Sequence, residues 1–304
     1  MPNPIALAVL AGLVSSGLFV SVLTGFPGMV LLAYFVQLPL VFVGLTLGLT
    51  GSVIAAASGL LVNGLLAGFA TVLIYALVQI VPALFVVRQA LLARPGPSGQ
   101  LEWYPAGLLL AQLTAIAAGA IVIAFVAFLG EPDGLPGAIE AFVTSALEEF
   151  GAIPQDTGLP AEFGGWIFLF PGLMATSWLT MVIINASLAQ ALAVRSGWQR
   201  RPSPDIVELE LPWWLWPAVA IAVVLSLLGE SGLGFLGRSL LMVLVVPYVF
   251  LGLAVLHALA RKWSHPNLAL VAIYGGIVVF GWPILLVLLL GLVEDWAGLR
   301  RRLV

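Results

Sequence analysis

The feature that most constrains this chain is the absence of charge from its first 87 residues, since no Asp, Glu, Lys or Arg occurs before Arg88. A stretch of that length is enough for about four membrane spans of ~20 residues each. Over all 304 residues, 62% are hydrophobic and only 8% are charged, whereas soluble domains carry roughly 25% charged residues. The sequence therefore predicts an all-α integral membrane protein and excludes an ordinary soluble enzyme.

Apolar runs of spanning length recur along the rest of the chain. Helices are expected because the bilayer core offers no hydrogen-bond partner to an unpaired backbone group. We predict a polytopic helical bundle of eight or nine transmembrane helices, with a kink or a helix start at each proline inside a run. The runs cover residues 4–24, 28–47, 49–69, 71–92, 105–129, 165–193, 213–228, 239–260 and 267–292.

The segments between the runs predict two parts. Residues 1–195 form a six-span N-terminal bundle, and residues 196–304 hold a cytoplasmic loop followed by two or three further spans. Apolar residues also recur at helical spacing over about 134–150, with acidic residues on the other side. This pattern is typical of an amphipathic helix, which we expect to cap the outer face of the bundle.

Basic residues predict the orientation, because Lys and Arg are enriched in cytoplasmic loops. We expect a bacterial inner-membrane protein with a cytoplasmic amino terminus and with the acidic loop 131–163 outside. Nine spans would place residues 300–302, all arginines, outside as well, whereas a re-entrant last run would return them to the cytoplasm. The cationic residues that fit this orientation are Arg88, Arg94, Arg195, Arg200, Arg201, Arg261 and Lys262, and the acidic residues of the loop are Glu131, Asp133, Glu140, Glu148, Glu149, Asp156 and Glu162.

Small residues at a spacing of four are typical of close contacts between membrane helices. They serve either packing within the chain or docking to another membrane subunit, and the spacing leaves both roles open. The stripes are Ala8, Gly12 and Ser16 in the first run, and Gly51, Ala55 and Gly59 in the third.

Uncharged polar side chains within the runs are the candidate ligand-binding residues. Such groups either line a binding cavity, as in transporters with broken helices, or hydrogen-bond between helices. A lining of amides and hydroxyls suits a small neutral or zwitterionic molecule. The candidates are Gln37, Asn63, Gln79, Gln112, Thr176, Thr180 and Asn185.

Several chemistries lack their residues in this sequence. Without cysteine and with only two histidines, the chain is predicted to have no catalytic residues, no metal site and no cofactor. No charged residue lies near the centre of a run, which argues against a proton relay. No basic stripe with interleaved aromatic residues indicates nucleic acid. We therefore expect a non-enzymatic protein that lies in the lipid bilayer. Its expected partner is a small molecule or another membrane subunit.

Two regions resemble the YybS-like family of bacterial polytopic membrane proteins. The first is Gln37-Leu38-Pro39-Leu40, followed by Gly44, Gly48 and Gly51 and by Pro82-Ala83. The second is Leu290-Gly291-Leu292-Val293-Glu294-Asp295-Trp296, running into Leu299-Arg300-Arg301. The resemblance covers nearly the whole chain and implies a membrane protein, without an activity to carry over.

The N-terminal half is also similar to the six-span substrate-binding subunits of energy-coupling-factor transporters. The similarity rests on Leu38-Pro39 with the glycines that follow, and on the Ala8-xxx-Gly12-xxx-Ser16 stripe. It implies a transporter-like subunit that binds a solute and docks to a separate energising partner. The alternative is a non-transporting membrane scaffold or assembly factor that binds protein partners.

Overall fold

The computed structural model describes residues 3–24, 27–96, 99–149, 151, 153–154, 158–160, 164–229 and 232–303. Within these ranges, seven helical segments are long and apolar enough to cross a membrane, which agrees with the predicted all-α membrane protein. The two shorter apolar helices are Leu215–Ser226 and Pro266–Phe280, and the predicted count of eight or nine spans depends on them. Phe150, the last residue of 134–150, lies outside the described residues, as do Asp156 and Glu162 of the acidic loop.

The described elements are almost all helical. A π-helical turn covers Ala76–Ile80, and 3₁₀ turns cover Val22–Thr24 and Ile206–Glu208. The α-helices are α1 Pro4–Ser21, α2 Pro27–Ala33, α3 Gln37–Leu47, α4 Leu49–Ala67, α5 Phe69–Tyr75, α6 Val81–Ala90, α7 Ala106–Ala127, α8 Gly134–Glu149, α9 Gly164–Ile167, α10 Phe170–Ser196, α11 Leu215–Ser226, α12 Gly232–Leu244, α13 Val246–Ala260, α14 Pro266–Phe280, α15 Pro283–Ala297 and α16 Leu299–Leu303. The strands β1 Ala93–Pro95 and β2 Leu101–Trp103 pair as an antiparallel hairpin.

Prolines divide the apolar runs into helices. Five of them lie within the first three residues of a helix, where the missing N–H needs no partner, and at these five the predicted kink or helix start is a helix start. The sixth, Pro82, lies inside the continuous helical segment Phe69–Ala90. The six prolines are Pro39 in α3, Pro82 in α6, Pro171 in α10, Pro217 in α11, Pro247 in α13 and Pro283 in α15.

The chain divides into two compact units along the sequence. Unit 1 contains residues 1–109 and 180–205, and unit 2 contains residues 110–179 and 206–304. These boundaries differ from the predicted division at residue 195, because α10 itself is shared between the units. The six-span grouping of residues 1–195 stays a prediction.

Two chain reversals in unit 1 take a single residue each. Gly48 joins α3 to α4 and Gly68 joins α4 to α5, with φ of 94° and 84°. These positive values lie in the region that glycine adopts without the strain of a Cβ. Beyond the first reversal, the Ser52 hydroxyl donates to the Leu40 carbonyl at 2.6 Å, so α3 and α4 form a tight hairpin.

The segment after α10 caps two helices of unit 1. The Arg200 side chain donates to the Thr46 carbonyl at 3.0 Å, at the end of α3. The Arg201 side chain donates to the Ala90 carbonyl at 2.9 Å, at the end of α6, and its guanidinium lies 5.7 Å from the Trp103 ring centre. Cations at helix C-termini satisfy unpaired carbonyls and interact favourably with the helix dipole. Two arginines that predict orientation thus also hold helix ends.

The core of unit 2 lies between α11, α12, α13 and α15. Glycines bring α13 and α15 into backbone contact, because a Cβ on Gly252 would overlap the Val287 carbonyl and one on Gly291 would overlap the Tyr248 carbonyl. The Trp216 ring packs edge-on against Trp296, with ring centres 5.1 Å apart. These contacts hold the last helix of the bundle, α15, against its centre.

The last apolar run, predicted as one segment over 267–292, is two helices of 15 residues each. Gly281, with φ of 69°, ends α14, and Pro283 starts α15. At ~1.5 Å per residue, each helix is about 22 Å long, shorter than the ~30 Å hydrocarbon core. The glycine and proline that interrupt the run thus divide it into two short helices.

The carboxyl-terminal end of α15 is fixed by a buried ion pair. Glu294 is 4% exposed and accepts from the Arg300 guanidinium at 2.7 Å and from the Arg300 amide at 3.0 Å. The same guanidinium donates to the carbonyls of Val207 and Leu209. The end of the chain therefore lies beside residues 206–209, which precede α11.

The amphipathic pattern over about 134–150 coincides with α8, Gly134–Glu149. Leu135 is its one buried residue among those described, and Phe142 is 64% exposed. The other described apolar residues of this face, Ile139, Val143, Ala146 and Leu147, are half-buried, and a capping role for this helix stays a prediction.

Candidate functional site

Three helices and one turn of unit 1 meet around Tyr75, which is completely buried. Its hydroxyl donates to the Ser15 hydroxyl at 2.8 Å, and Ser15 in turn donates to the Val36 carbonyl at 2.7 Å. A Cβ on Gly59 would lie 2.6 Å from the Tyr75 hydroxyl oxygen. At this depth of the bundle, contacts therefore connect α1, the turn before α3, α4 and α5.

Three candidate side chains lie within one helical turn of these residues. Gln37 follows Val36 and donates its amide to the Val78 carbonyl at 3.2 Å. Asn63 lies four residues after Gly59, on the same face of α4, and Gln79 lies four residues after Tyr75. We call Ser15, Ser16, Gln37, Asn63, Tyr75 and Gln79 the polar layer, and all six are buried.

Several atoms of the polar layer have no hydrogen-bond partner among the described residues. The Asn63 amide has none at either its oxygen or its nitrogen, and the same holds for the hydroxyl of Ser16 and the amide oxygens of Gln37 and Gln79. An unpaired polar group buried in a protein costs about 1–3 kcal/mol. Native structures retain few such groups, and a water, an ion or a ligand is one explanation for them. Unit 2 also holds such atoms, including those of Arg238, Ser239 and Tyr248.

Gln79 lies in the π-helical turn Ala76–Ile80. A π turn interrupts the regular i→i−4 hydrogen bonds, and such turns occur frequently at functional sites. Pro82 follows two residues later and removes another donor from the same helix. The irregular backbone of the fourth span thus coincides with the buried amide side chain of Gln79.

Asn185 and Thr180, on α10, also belong to unit 1. The Asn185 amide nitrogen donates to the Tyr34 carbonyl at 2.6 Å and to the Met181 carbonyl at 2.7 Å, whereas its oxygen has no partner among the described residues. Tyr34 lies three residues before Gln37, so Asn185 holds α10 near the polar layer. Thr180 is half-buried on the same helix.

The other two candidates belong to unit 2. Thr176 uses its hydroxyl in a hydrogen bond to the Met242 carbonyl, 3.1 Å away on α12. Gln112 is half-buried on α7. The structure therefore places Gln37 against the turn that contains Gln79, buries Asn63 one helical turn from Gly59 on α4, and gives Thr176 a helix-packing contact.

The small-residue stripes face the interior of unit 1. A Cβ on Gly12 would overlap the Ala55 carbonyl, and Ala8, Ser16 and Ala55 have no exposed surface. Gly51 and Gly59 are buried as well. The stripe on α1 and the stripe on α4 are therefore used for packing within the same chain.

A groove opens on another face of α1, with a volume of about 430 Å³. Its walls are residues of α1, of α3 and of the last turn of α10, and almost all of them are apolar. It does not include Gln37, Asn63 or Gln79. The groove and the polar layer are thus separate features of unit 1.

Ser15 and Tyr75 organise the polar layer, although neither was among the predicted site residues. A hydroxyl pair at 15–16 and a lone Tyr within an apolar span were the available signals. The pairing of Glu294 with Arg300 was not predicted either. These two residues are far in sequence from Val207 and Leu209, whose carbonyls Arg300 binds. Within the described ranges, no group of three or more His, Asp or Glu residues is placed to hold a metal ion.

No family model, no curated protein and no solved structure matches the chain. The resemblances to the YybS-like family and to energy-coupling-factor substrate-binding subunits therefore stay predictions. The proposals below rest on the residues and contacts of the chain itself.

Proposed function

We propose that this protein is a transporter-like membrane subunit that binds a small neutral or zwitterionic solute in the polar layer and relies on a separate energising partner. The observation that carries the proposal is the Asn63 amide, which is fully buried with neither of its polar atoms bonded to a described residue. A solute with its own donors and acceptors would satisfy these atoms.

The chemistry of the open atoms supports a particular class of solute. Three amide oxygens, those of Gln37, Asn63 and Gln79, are open acceptors. The Asn63 nitrogen is an open donor, and the Ser16 hydroxyl can do either. None of these residues carries a charge, so the layer favours a molecule of zero net charge that is rich in N–H or O–H groups.

The membrane arrangement is part of the same proposal. In this arrangement the seven long helices and the whole apolar run 213–228, which contains α11, give eight crossings, and α14 with α15 forms a re-entrant hairpin. An even number of crossings places both termini on one side, in the cytoplasm of a bacterial inner membrane. The contact of Arg300 with the carbonyls of Val207 and Leu209 supports this arrangement, since it joins the end of the chain to the loop that follows α10.

A ligand screen tests the proposed site. We expect one or more vitamins, nucleobases or amino-acid zwitterions to raise the thermal unfolding midpoint of the purified protein, and Asn63→Leu to abolish that shift. Without ligand, Asn63→Leu should stabilise the protein by about 1–3 kcal/mol, because it removes two buried unpaired groups.

Ser15→Ala is the matched control within the polar layer. It removes a hydroxyl that is already paired and leaves the Tyr75 hydroxyl without its acceptor, so it should destabilise the protein by about 1–3 kcal/mol. A loss of stability in Asn63→Leu as large as that in Ser15→Ala, with no ligand effect, would argue against a binding site.

Single-cysteine labelling tests the membrane arrangement, because the natural chain has no cysteine. We expect an impermeant maleimide applied from outside to label Ser145→Cys on α8. Ser203→Cys, Lys262→Cys and Arg302→Cys should react only after the membrane is permeabilised. Labelling of Arg302→Cys from outside, with Ser203→Cys protected, would be incompatible with the re-entrant hairpin.

A further inference from the structure

We propose that the groove of unit 1 binds an anionic phospholipid, with one acyl chain between α1 and α3 and the headgroup phosphate at Arg195. The groove is walled by Leu7, Leu10 and Val14 of α1 and by Pro39 and Phe42 of α3, and Arg195 of α10 lies at its rim. An apolar trough that ends in a single cation matches the two parts of such a lipid.

The dimensions fit a lipid of one leaflet. Leu7 and Val14 lie seven residues apart on α1, about 10 Å along its axis, whereas half of a ~30 Å hydrocarbon core is about 15 Å. Leu10 is 55% exposed and Val14 is 46% exposed, so this wall is open to the bilayer. An acyl chain therefore lies in the groove over most of one leaflet's depth.

The rim of the groove lies at headgroup level. Arg195 and Ser196 form the last turn of α10, and Trp198 follows them, with its ring centre 6.5 Å from that of Phe42. Tryptophan is enriched at the membrane–water interface. The acyl end of the lipid thus meets Phe42 within the bilayer, and its phosphate meets Arg195 at the surface.

Charge complementarity selects an anionic headgroup. This end of unit 1, residues 88–109 and 180–205, holds five arginines and two acidic residues. Four of the arginines have partners in the described part of the chain, and Arg195 has none there and is exposed. The partnered ones are Arg88 with Gln89, Arg94 with Glu102, Arg200 with Thr46 and Arg201 with Ala90.

Native mass spectrometry of the full chain in neutral detergent tests this proposal. Phosphatidylglycerol and phosphatidylcholine of the same acyl chains are compared. A cationic residue at the membrane surface adds about fivefold to the binding of an anionic lipid. We therefore expect about fivefold greater retention of phosphatidylglycerol, and we expect Arg195→Gln to reduce it to the level of phosphatidylcholine.

Two further variants make the result specific. Arg301→Gln removes the same charge from a side chain that is 87% exposed in unit 2 and should leave the lipid preference unchanged. Val14→Trp fills the trough from an exposed position and should lower the retention of both lipids.

Three outcomes would overturn the proposal. The first is equal retention of the two lipids, and the second is an unchanged preference in Arg195→Gln. The third is full competition by glycerol 1-phosphate, which would show a free phosphate site without an acyl trough. None of these outcomes bears on the polar layer, which the ligand screen tests separately.

Discussion

Replacing Arg300 with Met is expected to destabilise the protein by about 3–5 kcal/mol, the usual cost of leaving a buried charge without its partner. Glu294 is 4% exposed, and Arg300 is its ion-pair partner at 2.7 Å. The substitution also leaves the carbonyls of Val207 and Leu209 without their donor. The measurement is the free energy of unfolding in mixed detergent micelles, followed by loss of helicity.

Arg301→Met is the matched control for this effect. Its side chain is 87% exposed and lies 4.0 Å from the equally exposed Glu210, and exposed pairs contribute about 0–1 kcal/mol. The double variant Glu294→Leu with Arg300→Met should recover part of the lost stability, because it removes both buried charges. Equal losses in Arg300→Met and Arg301→Met would contradict the buried ion pair.

Replacing Gly12 with Leu is expected to separate α1 from α4, with a loss of about 3 kcal/mol or more. A Cβ at this position already overlaps the Ala55 carbonyl, which is backbone and cannot rotate away. In membranes, helix association depends on such close approach, since apolar contact with lipid is otherwise equally favourable. The free energy of unfolding and the α1–α4 distance from paired spin labels would measure the effect.

Gly17→Leu is the control on the same helix. Gly17 is exposed, and a Cβ there meets no atom within 4 Å. This variant should change stability by less than ~0.5 kcal/mol, the usual limit for surface substitutions. A Gly12→Leu protein that unfolds like the Gly17→Leu protein would show that α1 does not depend on contact with α4.

Much of the fold follows from hydropathy alone. The run 105–129 corresponds to Ala106–Ala127, and the run 4–24 begins with Pro4–Ser21. A hydropathy profile measures apolar character and does not show where the chain reverses. For this reason α14 and α15 appear in the sequence as one apolar run. The reversal there depends on the backbone of Gly281, and its closure depends on Arg300, a tertiary contact.

The candidate site could be predicted only in part. Gln37, Asn63 and Gln79 are visible in the sequence because a polar side chain inside an apolar run is unusual. Their position around Tyr75 is not visible, since it depends on the contact of Tyr75 with Ser15, 60 residues earlier. The π turn around Gln79 was also beyond reach, because its residues are ordinary helix-forming ones.

The single-residue reversals at Gly48 and Gly68 limit where other macromolecules can reach unit 1. Helices α3, α4 and α5 follow each other with no loop between them, so these turns offer almost no polypeptide to a protease, an antibody or an inserted epitope tag. Among the described residues of unit 1, the longest stretches outside helices are those of the hairpin β1–β2 and of the segment after α10. Tag insertion is therefore best tolerated at Gly99, the glycine of that hairpin with nothing within 4 Å of its Cβ position.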